Sequence, residues 1–225
     1  MLATITISIL VSRLSCSSGN YKLTDRERFL CDTLQIDTAI VQLIREYNSN
    51  ELEPFHYSFS KIITEEGVFE DDPIFLQGLV FAEKNSKSMN LVLSLKDKFR
   101  EKGYSIFLLE NNYGFNKEPD IIAVLKTTDK YSILQQIQTN GINYEIDTDS
   151  LISIIKKFDE KYSLELTWAS GDCCMFIIHK TPENWLQIAQ EAYDVCPDIV
   201  EQGAGSVEEL AKEMKKDKIL FFWWD

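Results

Sequence analysis

The sequence is poor in the side chains that build most metal and catalytic sites. Its 225 residues include 2 histidines and 5 cysteines, and no C-x-x-C pair occurs. Structural zinc sites usually draw their ligands from such pairs. We therefore predict no metal site, and we interpret Cys31, Cys173, Cys174 and Cys196 as small buried apolar residues.

Positive charge is also scarce. The chain has 23 lysines and arginines against 36 aspartates and glutamates, which gives a net charge of −13. Such a surface repels phosphate backbones and anionic lipid head groups. We expect no nucleic-acid partner, and we expect contact with a membrane only through a covalent anchor.

Glycine-rich phosphate fingerprints are absent as well. No G-x-G-x-x-G occurs, and the stretch "QGAGS" is followed at once by Glu208 and Glu209 in the first turn of a predicted helix. These carboxylates would repel an anion at that helix N-terminus. Gly203 and Gly205 therefore indicate an unusual backbone turn, and we predict no cofactor.

The first residues, "MLATITISILVS", carry no charge and are too short to cross a bilayer. The following "RLSCSSGN" resembles the end of a bacterial lipoprotein signal, in which Cys16 would be acylated. Residues 1–16 are thus predicted to be a signal segment of an envelope lipoprotein. No basic residue precedes the apolar run, however, and Arg13 replaces an aliphatic residue. The alternative is a buried N-terminal element of a cytoplasmic protein.

Residues 17–77 are predicted to form a helical N-terminal segment. Thr24 and Glu27 match a capping box, and the helical pattern from Thr24 to Tyr47 is interrupted near Asp37. The stretch "NSNELEPF" that follows is interpreted as a loop.

Residues 78–225 alternate between strand and helix patterns and are predicted to form an α+β (mixed α/β) domain, a sheet with helices packed on it. The predicted strands are "GLVFAE", "YSIFLLE", "DIIAVLK", "LELTWA" and "CCMFIIHK". Thr181 with Pro182, and Ser206 with Glu209, are predicted helix starts. The stretch "ENNYGFNKEP" marks a possible division of this domain near residues 110–119.

The last residues, "ILFFWWD", predict a strand in the interior of the sheet, since large rings on both faces need cover on both sides. A second interpretation places Trp223 or Trp224 in a ligand pocket beside Asp198, Gln202 and Asp225. The core interpretation and the pocket interpretation both stay open.

Three stretches carry a resemblance to a known family: "GINYEI", "YDVCPDIVEQGAGSVEELA" and the closing "FFWWD". With this spacing, residues 119–225 resemble a bacterial family of unknown function, DUF4253. The family pattern has Asp at the position of Glu145, a change that keeps the charge. The resemblance supports the domain prediction and implies no activity.

No arrangement of residues demands a reaction, so the first hypothesis is a non-enzymatic binding or interaction module. Its candidate binding residues are Asn143, Tyr144, Asp198, Gln202, Gly203, Trp223, Trp224 and Asp225. The second hypothesis is a hydrolase that uses Asp198 with Asp225, or Cys196. The third is a cytoplasmic immunity-type partner protein, since an acidic surface steers towards basic partners.

Overall fold

The computed structural model describes residues 21–57, 61–64, 67–70, 74–112 and 117–224. Within this part the protein has a mixed α/β fold, as predicted. It forms two compact units, an N-terminal unit that ends at Asp129 and a C-terminal unit that begins at Lys130. Cys16 and Asp225, two of the predicted functional residues, lie outside the described residues.

The N-terminal unit is built around an antiparallel sheet with the strand order β1-β4-β6-β5, and a separate hairpin is formed by β2 and β3. Helix α3 packs against β5 and β6, and α1 contacts β1 and β4. The helices of the unit are α1 (Asp25–Leu34), α2 (Thr38–Arg45) and α3 (Asn85–Arg100). The strands are β1 (Leu52–Tyr57), β2 (Lys61–Thr64), β3 (Gly67–Glu70), β4 (Ile74–Glu83), β5 (Ser105–Glu110) and β6 (Asp120–Leu125).

The predicted capping box at the start of α1 is confirmed. Thr24 accepts a hydrogen bond from the Glu27 amide, and the Glu27 carboxylate accepts one from the Thr24 amide. Glu27 is buried and also accepts from Arg45 Nε at 2.6 Å. The predicted interruption is confirmed too, because α1 ends at Leu34 and Asp37 is the N-cap of α2.

The described part of residues 17–77 contains the predicted helices and also three strands, which the sequence analysis did not predict. The stretch interpreted as a loop contains the start of β1, and that interpretation is wrong. Pro54 hid the strand, since proline lacks the N–H that a central strand needs. It is tolerated here because β1 is the first strand in the order of the described strands, and its register shifts between Pro54 and His56. Leu52 and Phe55 anchor the strand in the core.

The C-terminal unit contains an antiparallel sheet with the order β7-β8-β9. Its helices include α4 and α5, which contact each other, and α6 and α7, which form a second contacting pair. The elements are α4 (Lys130–Ile137), α5 (Thr148–Tyr162), β7 (Leu164–Ala169), β8 (Cys173–Ile178), α6 (Trp185–Val195), α7 (Val207–Asp217) and β9 (Ile219–Trp223). Two short helical turns, Ile142–Tyr144 and Ile199–Ala204, connect them.

Among the strands of the described ranges β9 comes last in the order β7-β8-β9, which contradicts the prediction of a strand interior to the sheet. A run of large apolar residues predicts that both faces of a strand are covered, but it does not reveal how many hydrogen-bonded neighbours the strand has. The prediction that large side chains of this strand are buried holds for one of its faces. Leu220 and Phe222 are fully buried on one face, whereas Phe221 and Trp223 on the other face are partly exposed.

One predicted helix start in this unit is right and one is wrong. Ser206 is the N-cap of α7, with its hydroxyl accepting from the Glu209 amide. Helix α6, in contrast, starts after Thr181 and Pro182, because the Asn184 side chain caps the amides of Leu186 and Gln187. Asn caps as well as Thr, and it lies nearer the apolar stripe. No helix of the described ranges is long and apolar enough to cross a membrane.

Candidate functional site

The turn that follows α4 presents Tyr144. Gly141 and Ile146 form an isolated bridge that closes the turn, and Glu145 takes the left-handed conformation at φ 60°. The Tyr144 amide donates to the Gly141 carbonyl at 2.8 Å, which fixes the direction of the tyrosine. The Ile142 side chain is 68% exposed and that of Tyr144 is 38% exposed. The turn therefore lies at the surface while Tyr144 points back to the unit.

Tyr144 reaches across the unit to Asp198, 54 residues later in the chain. Its hydroxyl donates to Asp198 Oδ1 at 2.7 Å, and Gln202 Nε2 donates to the same oxygen at 3.1 Å. Asp198 is buried, so these donors offset the loss of its hydration. The hydrogen bond to Asp198 raises the pKa of Tyr144 to about 12, and the hydroxyl stays protonated at neutral pH.

Trp224 joins the same turn to the end of the sheet. Its indole lies so close to Gly141 that a β-carbon built on the glycine would be 2.7 Å from two ring atoms. The ring also stacks on Phe222 at a centroid distance of 5.8 Å, and its Nε1 donates to the Val195 carbonyl at 3.4 Å. Trp224 is buried and is a core residue rather than a pocket lining. Gly141 is needed here because of this close approach.

Cys196 fixes the segment before Asp198 to β9. The thiol is buried and donates to the Trp223 carbonyl at 2.8 Å. Burial raises the pKa of Cys196 to about 11. Burial also raises the pKa of Cys173 and of Cys174. All three thiols are therefore protonated at neutral pH, which makes them poor nucleophiles.

A cavity of about 260 Å³ opens on the partly exposed face of β9. The sheet contributes the side chains of Met175, Phe221 and Trp223 to its lining. Because Met175 and Phe221 are register partners on neighbouring strands, their side chains lie on the same face. Trp168 stacks on Phe221 at a centroid distance of 5.4 Å and supports this wall.

The opposite wall comes from the segments that follow Asp198. The 199–204 turn contributes Ile199, Gly203 and Ala204, and α7 contributes Leu210, Glu213, Met214 and Asp217. The α7 positions are spaced i, i+3, i+4 and i+7, which places them on one helix face. The wall is apolar apart from two carboxylates.

The three stretches that carry the family resemblance therefore meet in one place: Gly141 packs on Trp224, Tyr144 binds Asp198, and Cys196 binds the Trp223 carbonyl. Residues 121–225 match the family model DUF4253, a domain of unknown function. The predicted resemblance to this family is confirmed. No curated protein and no solved structure matches the chain.

The candidate residues of the DUF4253 region fall into five groups. Tyr144, Asp198 and Gln202 form one hydrogen-bonded cluster. Gly203 and Trp223 line the cavity, and Trp224 lies in the core. Asn143 is exposed in the turn beside Tyr144, and Asp225 is outside the described residues.

Sequence reasoning missed the contribution of α7 to the cavity and the packing of Gly141 on Trp224. The apolar stripe of α7 was visible as Leu210 and Met214, but the acidic positions on the same face looked like solvent-facing residues. Nothing in a sequence reveals that the strand opposite such a helix leaves a gap. In the described ranges no group of three or more His, Cys, Asp or Glu residues is placed to hold a metal ion.

Proposed function

We propose that the DUF4253 region of this chain is a non-enzymatic binding module, and that it holds a small apolar group in the cavity between β9, the 199–204 turn and α7. The cavity itself carries the proposal: it has about 260 Å³ of space beside the partly exposed residues Phe221 and Trp223. Ligand pockets usually range upward from about 300 Å³. The space therefore suits one small ligand, or one side chain of a partner.

The walls of this cavity are held in place by the residues around it. Gln202, next to the lining residue Gly203, is fixed by its hydrogen bond to Asp198. The backbone of Trp223 is fixed by Cys196 and by the pairing of β9 with β8. A site whose walls are already ordered loses less conformational entropy on binding. Residues of the stretches that carry the family resemblance thus hold the cavity walls in place before a ligand binds.

The hydrolase alternative has less support. Cys196 would have to ionise to act as a nucleophile, and burial raises its pKa to about 11. Asp198 accepts hydrogen bonds from Tyr144 and Gln202, which is a structural use of the carboxylate. Neither Asp198 nor Gln202 is among the residues that line the cavity.

Methionine methyl groups provide the test. The chain has 4 methionines, of which Met175 and Met214 line the cavity, while Met89 lies on α3 in the N-terminal unit. In the full chain labelled with ¹³C at the methionine methyl groups, titration with hexanol should shift the Met175 and Met214 signals saturably. The Met89 signal should stay in place. Shifts that are equal for all three, or absent, would overturn the proposal.

A cavity-filling variant sharpens this test. Leu210→Trp places a large ring in the space and should abolish the hexanol response. Lys212→Trp adds the same ring two residues later on α7, at a side chain that is 70% exposed, and should leave the response unchanged. A response that survives in Leu210→Trp would place the hexanol site elsewhere.

Two further expectations rest on sequence alone. The envelope tether through Cys16 is part of the proposal, and Cys16→Ser should move the protein from the membrane fraction to the soluble fraction of cells. Unchanged partitioning would reject the tether. The interpretation as an immunity-type partner rests on the net charge of −13, and affinity capture with the tagged chain addresses it.

A further inference from the structure

The charged residues that line the cavity are of one sign. The charged residues in its lining are Glu213 and Asp217, and the lining contains no lysine, arginine or histidine. They are four residues apart on α7, on the same face as the apolar lining residues Leu210 and Met214. An apolar ligand in this cavity would therefore lie near two carboxylates.

These carboxylates are incompletely neutralised. Among the described residues, none makes a hydrogen bond or ion pair with the Glu213 carboxylate. Asp217 is 19% exposed, and the nearest cation is Lys216 Nζ at 3.9 Å, on a side chain that is 59% exposed. Lys218 lies over the Trp185 ring at 4.5 Å from the centroid. A contact near 4 Å with an exposed lysine contributes little.

Two further features add negative potential at this end of the cavity. Glu213 and Asp217 lie in the C-terminal half of α7, where the helix dipole presents its negative end. Trp223 lines the cavity, and a tryptophan ring can also attract a cation over its face through its quadrupole. The dipole disfavours carboxylates at this position, so helix stability does not account for them.

We infer that the cavity is selective for an alkylammonium group, with the alkyl part between Phe221, Trp223 and Met214 and the ammonium beside Glu213 and Asp217. This inference rests on the proposed function, since it names the ligand class of the same cavity. The ammonium could belong to a free alkylamine or to a lysine side chain of a partner, and both present the same chemistry. The net charge of −13 would increase the rate at which either cation approaches.

The experiment compares probes that share one alkyl body in the methionine-labelled full chain. Hexylamine should shift Met175 and Met214 at a concentration at least about fivefold lower than hexanol, and hexanoate should bind more weakly than hexanol. The preference for the amine should shrink as salt is added. Equal affinities for hexylamine and hexanol would overturn the inference and leave the proposed function intact, whereas no response to any probe would overturn both.

Variants test whether the two carboxylates cause the preference for hexylamine over hexanol. In the double variant Glu213→Gln with Asp217→Asn, the affinity for hexylamine should fall to the affinity that the same variant has for hexanol. Both changes remove negative charge near a helix C-terminus, so α7 should remain folded. Glu208→Gln in the first turn of α7 is the matched control and should keep the preference. A preference that survives in the double variant would contradict the assignment.

Nα-acetyl-lysine amide separates the two sources of the ammonium group. If it binds at least as tightly as hexylamine, the ligand is a lysine side chain. If hexylamine binds more tightly, the ligand is a free amine. The inference fails if neither amine binds more tightly than hexanol.

Discussion

Adding one methyl group at Gly141 tests whether the turn before Tyr144 is packed on Trp224. The backbone φ of Gly141 is −124°, a value that other residues adopt, so alanine introduces no left-handed strain. The new β-carbon, however, would lie 2.7 Å from Cε2 and Nε1 of Trp224 and 2.8 Å from Cδ1. Carbon atoms normally pack about 3.5–4.0 Å apart, so one of the two groups has to move by roughly 1 Å.

The indole is not free to make that movement. It stacks on Phe222 with an interplanar angle of 11°, and the Trp224 amide donates to the Asp172 carbonyl at 3.0 Å. Overpacking of a filled core costs about 1–3 kcal/mol. Replacing glycine by alanine also reduces the conformational entropy of the unfolded chain, which stabilises the folded state by about 0.4–1 kcal/mol. Gly141→Ala should therefore lower the free energy of unfolding of the C-terminal unit by about 1–2 kcal/mol.

Tryptophan fluorescence is the assay, because all 4 tryptophans, at positions 168, 185, 223 and 224, belong to the C-terminal unit. Urea unfolding followed at this signal reports on the surroundings of the tryptophans in that unit. Gly203→Ala is the control: the nearest atom to its β-carbon is the Asp198 carbonyl oxygen at 3.7 Å, an ordinary contact. The control should be neutral or stabilised by up to about 1 kcal/mol. If both variants have the same stability, the packing of the turn on Trp224 is refuted.

Two other predictions concern titratable groups. Burial raises the pKa of Asp159, but hydrogen bonds from Lys130, Tyr131 and the Leu164 amide outweigh it, and the net effect lowers the pKa. A carboxyl group whose pKa is lowered by folding stabilises the folded state at any pH above its pKa in the unfolded chain, about 3.9. This stabilisation is lost as the pH falls through the pKa of the group in the folded state. Asp159→Asn should therefore lower the unfolding free energy by about 1–3 kcal/mol at pH 7 and flatten its decline below about pH 4, as measured by urea titrations. The buried cysteines (Cys31, Cys173, Cys174 and Cys196) should react with iodoacetamide slowly in the native chain and rapidly in urea. Mass spectrometry identifies which cysteine is labelled. If a cysteine reacts rapidly in the native chain, that cysteine is not buried as described.

Local signals in the sequence predicted most helices and strands. Thr24 and Ser206 mark predicted helix starts, because a side-chain oxygen there satisfies amides that have no partner within the helix. Asp37 marks the predicted interruption and caps α2 in the same way. The same kind of signal misled at Thr181, since Asn184 supplies an equally good cap a few residues later. Local chemistry limits where a helix can start, and packing selects among the possible positions.

The site was only partly predictable for a different reason. Tyr144 and Asp198 were both named as candidates, yet their hydrogen bond spans 54 residues, and no local pattern encodes such a pairing. The six-residue helical turn Ile199–Ala204 has no periodic signal of its own. The gap between this turn, α7 and β9 arises from tertiary packing, which a single sequence does not specify.

Side chains alternate along β9 between a buried face and a partly exposed face that borders the cavity. Phe222 faces α5, where its ring meets Phe158 at a centroid distance of 5.8 Å, and it is fully buried. Trp223 faces the cavity and is partly exposed. Phe222→Ala should lower the free energy of unfolding by about 3–5 kcal/mol, whereas Trp223→Ala should cost less and should abolish the response of Met175 and Met214 to hexylamine. Neighbouring residues on a strand would then serve different purposes because their side chains point to opposite faces. An equal loss of stability in the two variants, with the hexylamine response of Trp223→Ala intact, would mean that both faces of β9 belong to the core.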